Sequence, residues 1–250
     1  MKQRKPSLII GRQPLVEAIR TGQAIERIFL LRNASGEIIH TIRQLAREHS
    51  IPINMVPVEK LNSLSKNNHQ GCIAIGGTIN YLDLQDVISF VQEKGETPLF
   101  LMLDGITDVR NIGAIARSAL CCGAQALIIP DKGIAPLNED AVKSSAGALE
   151  QINVCRVSSL LKAADTLHLN GVKIAASDMK APKKVFECDL KDPLAVIIGA
   201  EDTGIYPALL KSADEVFRIP MAGDFDSFNV SVAAGIILYE TMRQRLVVSS

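Results

Sequence analysis

The chain has no tryptophan, and its aromatic residues amount to only 4% of 250 positions. A core of this composition has to be built from Ile, Leu, Val and Ala rather than from rings. No apolar run approaches the roughly 20 residues that a membrane span requires. The opening Met1-Lys2-Gln3-Arg4-Lys5 is not followed by an apolar stretch of signal-peptide type. A cytoplasmic protein without membrane contact is therefore expected. The five cysteines, Cys72, Cys121, Cys122, Cys155 and Cys188, are odd in number and form no Cys-x-x-Cys pair. Such spacing supports neither a disulfide framework nor a zinc site, so buried reduced thiols and no metal are expected. Also missing are Gly-x-x-x-x-Gly-Lys-Ser/Thr and Gly-x-Gly-x-x-Gly, the loops of ordinary ATP, GTP and dinucleotide sites.

Net charge is absent as well, because 27 Lys and Arg balance 27 Asp and Glu. The balance is uneven along the chain. Residues 1–80 carry 11 basic and 5 acidic side chains, and residues 81–250 carry 16 and 22. This reads as a basic module joined to an acidic one. A basic module can meet phosphates electrostatically; a solvated surface is the other meaning of the same excess.

What is present is alternation. In the first part, Ser7–Ile10, Ile28–Leu31, Ile51–Val56 and Gly71–Ile75 read as strands, and Gln13–Ile19, Glu37–His49 and Val58–Leu64 as helices. A helical pattern over Leu82–Glu93 and a turn-rich break at Lys94–Pro98 follow. The boundaries expected are a first domain over 1–80, a linker over 81–97 and a second domain over 98–250. In the second domain, Leu99–Leu103, Ala126–Ile129, Ile152–Val157, Val172–Ala176, Ala195–Ile198 and Val216–Ile219 are short, almost wholly apolar runs. Such runs suit strands buried on both faces of a parallel sheet. Helical patterns at Ile112–Cys122, Glu139–Ala146, Ser159–Leu167, Pro207–Ala213 and Val230–Leu246 separate or follow them. The fold class is α/β with a mainly parallel sheet.

Ligands of open α/β sheets bind beyond the carboxyl ends of the strands, which directs attention to three loops. The first runs from Asp104 to Gly113 and leads into a helix that carries Arg117. Asn111 is a candidate cap for that helix, and Arg117 a candidate phosphate grip. The second is Gly199-Ala200-Glu201-Asp202-Thr203-Gly204, where two glycines permit tight turns. The third runs from Ile219 to Gly235. It places Ser227 and Asn229, either of which can cap, at the mouth of a helix rich in small residues.

In this order the loops resemble the three motifs of the SpoU/TrmH family of RNA ribose methyltransferases, within the SPOUT superfamily. The matching residues are Asn111-Ile112-Gly113-Ala114-Ile115-Ala116-Arg117, then Gly199-Ala200-Glu201 with Gly204, then Ile219-Pro220-Met221, Gly223, Ser227, Asn229 and Val230–Ala233. Gly11–Ala18 and His69-Gln70-Gly71 resemble the family's substrate-binding extension. The sequence departs from the pattern at Asp202, where the family usually has Gly, and at Phe228, where it usually has Leu.

The resemblance implies a trefoil-knotted second domain, a homodimer, and methyl transfer from S-adenosylmethionine to a ribose 2′-hydroxyl of structured RNA. A guanosine of 23S rRNA is the implied target. A tRNA target and an RNA-binding homologue without catalysis are the alternatives. Arg117, Asn111, Glu201, Ser227 and Asn229 are the implied catalytic-site residues, and Gly199, Ala200, Ile219, Met221 and Phe228 the cofactor-binding ones. The methyl donor is already activated, so the implied chemistry requires no metal.

Overall fold

The computed structural model describes residues 8–49, 51–223 and 227–248. The chain divides into two compact units, Met1–Tyr81 and Leu82–Ser250.

The first unit runs β1 (Leu8–Ile10), α1 (Arg12–Arg20), β2 (Ile25–Leu31), α2 (Glu37–Glu48), β3 (Ile53–Val56), α3 (Val58–Leu64) and β4 (Cys72–Gly76). Its sheet has the order β1-β4-β2-β3. β4 is antiparallel to β1 and β2, and β3 is parallel to β2. Period-two alternation along β2 sorts its side chains between two layers. Ile28 and Leu30 join Leu15, Ile19, Ile39 and Ile42 of α1 and α2, while Phe29 joins Leu61 of α3 and Ile73 of β4.

The second unit continues with β5 (Tyr81–Leu82) at the boundary, α4 (Leu84–Glu93), β6 (Leu99–Asp104), α5 (Val109–Cys121), β7 (Ala126–Pro130), α6 (Glu139–Ser144), β8 (Asn153–Val157) and α7 (Leu160–Leu169). It ends with β9 (Lys173–Ser177), β10 (Lys183–Lys184), β11 (Leu194–Gly199), α8 (Pro207–Lys211), β12 (Glu215–Arg218) and α9 (Val230–Val248). The strand order is β10-β12-β9-β11-β6-β7-β8-β5. Every pair from β10 to β8 is parallel. The strand ends that carry the three loops therefore lie along one edge.

Alternation also sorts this larger sheet. Phe100 and Met102 of β6 face α4, α7 and α8, in a core with Leu84, Val87, Ile88, Val91, Leu160, Leu167 and Leu209. Leu99, Leu101 and Leu103 have the opposite parity and are also fully buried. Both faces are thus covered, which is why the strands read as unbroken apolar runs. Residues 81–97, expected as a linker, hold β5 and α4, and the apolar side of α4 is part of this core.

All five cysteines are free. Cys72, Cys155 and Cys188 are buried, but Cys122 is half-buried and Cys121 is exposed at the end of α5. The expectation of buried thiols is corrected for that pair, which lies where the helix runs out into its C-terminal turn. Among the described residues no helix is long and apolar enough to cross a membrane.

Candidate active site

Strand register starts the first two loops side by side. Gly199, the last residue of β11, is paired with Asp104, the last residue of β6. Asp104 Oδ2 accepts a hydrogen bond from the Tyr206 amide at 2.7 Å, which pins the far end of the second loop to the start of the first. Between these points the second loop folds on itself, with the Gly204 amide donating to the Ala200 carbonyl at 2.9 Å. A Cβ on Gly199 would lie 2.4 Å from the Gly204 carbonyl carbon, so the chain passes too close for any side chain there. Gly204 has φ of 68°, in the left-handed region that favours glycine. Asp202 does not lie in that region, since Gln70 and Ala146 are the described non-glycine residues with positive φ. An aspartate at this point of the loop therefore carries no backbone strain.

The third loop returns to the other two through the start of α9. Asn229 Oδ1 accepts from the Ser231 amide at 3.0 Å and the Ser231 hydroxyl at 2.6 Å, and so caps the helix. Its Nδ2 donates in two directions, to Glu201 Oε1 at 2.7 Å and to Asn111 Oδ1 at 3.1 Å. Glu201 Oε1 also accepts from the Val230 amide at 2.8 Å. A carboxylate here satisfies a free amide and lies at the positive end of the α9 dipole. One residue from each loop thus meets in a single polar cluster.

One role differs from expectation. Asp108, not Asn111, caps α5, because its Oδ1 accepts from the Arg110 amide at 2.8 Å. The helix begins three residues earlier than its apolar periodicity implies, which leaves Asn111 inside the first turn with its side chain free to join the cluster. Arg117 stands six residues further along α5, about 120° around the helix from Asn111. It is exposed and has no hydrogen bond or ion pair among the described residues. Asn229, itself bonded to Glu201, holds the Asn111 side chain.

Ser227 is exposed beside the cluster, and Phe228 and Met221 are exposed apolar side chains of the same loop. Ile219, Gly199 and Ala200 are half-buried at the ends of their strands. Residues 224–226 of the third motif region lie outside the described residues. Sequence reasoning did not single out Asp104, Asp108 or Ser144. Ser144 packs so tightly against Gly113 that a Cβ there would lie 1.9 Å from its Oγ. The signal available for Asp104 was its place, the first polar residue after a wholly apolar strand.

In the first unit the two segments singled out by sequence also meet. Arg12 Nε donates to the Gln70 carbonyl at 2.9 Å, and the Gly71 amide donates to His69 Nδ1 at 3.0 Å. His69 Nε2 lies 3.0 Å from Asn62 Oδ1. Because Nδ1 accepts, Nε2 carries the proton in this arrangement.

Residues 98–239 match the model of the SpoU rRNA Methylase family. Residues 8–81 match the model for RNA 2′-O ribose methyltransferase substrate binding. The chain belongs to the SpoU family. The Bacillus subtilis protein YacO, named for the TrmH family of tRNA/rRNA methyltransferases, is 32% identical over 95% of each chain. The SpoU methyltransferase AviRb of Streptomyces viridochromogenes has a similar structure, with a TM-score of 0.62 at 25% identity over 97% of this chain and 90% of that one. Its complex with the cofactor AdoMet gives a TM-score of 0.61 at 27% identity over 96% and 90%. This SpoU-family chain is an S-adenosylmethionine-dependent RNA 2′-O-ribose methyltransferase.

The residues present fit that cofactor. Met221 and Phe228 offer an apolar surface of the kind that encloses an adenine ring. The backbone amides of Glu201 and Met221 have no partner among the described residues and can serve the cofactor's polar edges.

Proposed function

We propose that this enzyme methylates the 2′-hydroxyl of a guanosine in 23S rRNA, and that it works as a homodimer in the cytoplasm. The observation that carries the assignment of the reacting site is the Asn111–Asn229–Glu201 cluster, which draws the three loops together. S-adenosylmethionine, when bound, supplies a methyl group already activated on a sulfonium. Gly199, Ala200, Ile219, Met221 and Phe228 line its place, with Phe228 and Met221 as the apolar wall. The second domain carries the family's trefoil knot. Residues 1–80, with their basic excess, bind the RNA.

Arg117 is the principal catalytic residue of this reading. A guanidinium is a fixed positive charge with a planar fork. At this position it grips the phosphate adjoining the target ribose and stabilises the negative charge that develops on the 2′-oxygen. Its lack of any partner among the described residues leaves the fork available. Glu201 and Asn229 are positioning residues that fix the loops, and Ser227 stands at the mouth of the site. Dimerisation is supported by the outer side of α9, where Val232, Tyr239 and Leu246 are exposed at seven-residue spacing. That spacing places the three side chains on one side of the helix, a surface suited to a second copy of the chain.

A tRNA target is the second reading, since the name of the B. subtilis relative covers both RNAs. Methyl transfer to rRNA and to tRNA, each isolated from cells that lack the enzyme, separates them. Ribose label confined to 23S rRNA supports the proposal, and label confined to tRNA replaces it.

A further inference from the structure

Arg110 is a second exposed arginine of α5. It lies in the first turn of α5, next to Asn111 of the cluster, and its side chain is 86% exposed. Asp108 holds one edge of its guanidinium, with Nε to Oδ1 at 3.3 Å and Nη2 to Oδ2 at 2.8 Å. The remaining donors on the outer edge have no partner among the described residues. The ion pair with Arg110 draws the Asp108 carboxyl below the usual carboxylate range. Asp108 thus occupies one edge of the guanidinium and leaves the other edge of its fork open to solvent.

Helix geometry relates this fork to Arg117. Seven residues separate the two, close to two full turns, so both project from one side of α5, about 10 Å apart along the axis. Ala114 stands between them, a small side chain that leaves the intervening surface shallow. We infer that Arg110 is a second phosphate-binding arginine, which holds a backbone phosphate of the RNA on the other side of the target nucleotide from the phosphate held by Arg117. Two forks on one rigid helix would fix the strand at two points and set which ribose lies between them. This inference rests on the RNA methyl-transfer reading. The exposed pair with Asp108 is no obstacle, because surface ion pairs contribute only about 0–1 kcal/mol.

The test uses the full-length protein, with 23S rRNA from cells lacking the enzyme as probe, and the variants Arg110→Gln and Arg110→Lys. Filter binding across a salt series gives the affinity and its salt slope, methyl transfer gives KM and kcat, and calorimetry gives S-adenosylmethionine affinity. Arg110→Gln is expected to raise the RNA KM about tenfold and to lower the salt slope by about 1. Its kcat and cofactor affinity should stay within twofold of wild type. Arg110→Lys should keep the salt slope while losing part of the affinity, because it retains the charge without the fork. An unchanged KM and salt slope in Arg110→Gln overturns the inference. Filter binding is independent of catalysis. A wild type that binds RNA but transfers no methyl group would therefore count against the reaction assigned, and the salt slopes would still judge Arg110.

Discussion

Asn229 donates to Glu201 across 28 positions of sequence, with Nδ2 and Oε1 2.7 Å apart. The same asparagine caps α9 through its Oδ1, so one side chain both starts the helix and ties the loops. The two duties can be separated by mutation. Asn229→Ala removes both and is expected to cost about 1 kcal/mol of stability as a lost cap. Asn229→Asp keeps a good cap but sets a second carboxylate against Glu201. It should remain folded and still lose methyl transfer. Thermal melting and transfer assays on both variants check this, and wild-type turnover in Asn229→Asp would show that the cluster plays no part in the reaction.

Two glycines are fixed by space. Gly199→Ala would push a methyl group into the Gly204–Ile205 backbone, and Gly113→Ala would push one into Ser144. Each is expected to destabilise the second unit by about 1–3 kcal/mol, the usual cost of overpacking. Removing the Ser144 hydroxyl should not rescue Gly113→Ala, because the Ser144 carbonyl carbon is itself only 2.8 Å from the added atom. Urea unfolding of the single and double variants measures both effects.

Thiol chemistry should divide the cysteines by depth. Burial raises the Cys155 and Cys188 thiols to about 12 and the Cys72 thiol to about 11. The native protein should therefore label rapidly at Cys121 at pH 8, with the three buried positions reacting only on unfolding. Peptide mapping after a short exposure to a maleimide reads this directly.

Asp214 links stability to pH. Burial alone would raise its carboxyl, but the Ile174 amide at 2.7 Å and His168 Nε2 at 2.9 Å hold it below the usual value. A carboxylate that titrates lower in the folded than in the unfolded chain stabilises the fold fully above its unfolded value, near 3.9. That contribution is lost as pH falls through the folded value. Asp214→Asn should thus be less stable than wild type at pH 7, and the gap should narrow below about pH 4. The side chain is nearly half exposed, so its pair with His168 accounts for only about 0–1 kcal/mol of the gap. An equal gap at both pH values would contradict this account.

Much of the architecture was legible because the central strands of the second unit, β6, β7 and β11, are apolar on both faces and α4 on one. The short strands β5 and β10 escaped notice, since two-residue strands have no period to read. The three loops were legible as motifs, but their meeting was not. Nothing in the spacing of Asn111, Glu201 and Asn229 indicates that their side chains touch, because that contact depends on the order in which parallel strands are laid down. The cap of α5 was misread for a related reason. Capping depends on which carboxyl or amide faces the first free amides, and both Asp108 and Asn111 are residue types that can do it.

The most direct test of the central claim is tritiated methyl transfer to ribose of unmodified rRNA by wild type and Arg117→Ala, with S-adenosylmethionine affinity measured on both. Arg117→Ala should bind the cofactor as wild type does and lose about 100-fold or more in transfer, the scale of removing a group that stabilises developing charge. Near wild-type transfer by Arg117→Ala would contradict the role assigned to this arginine and, with it, the mechanism built around it.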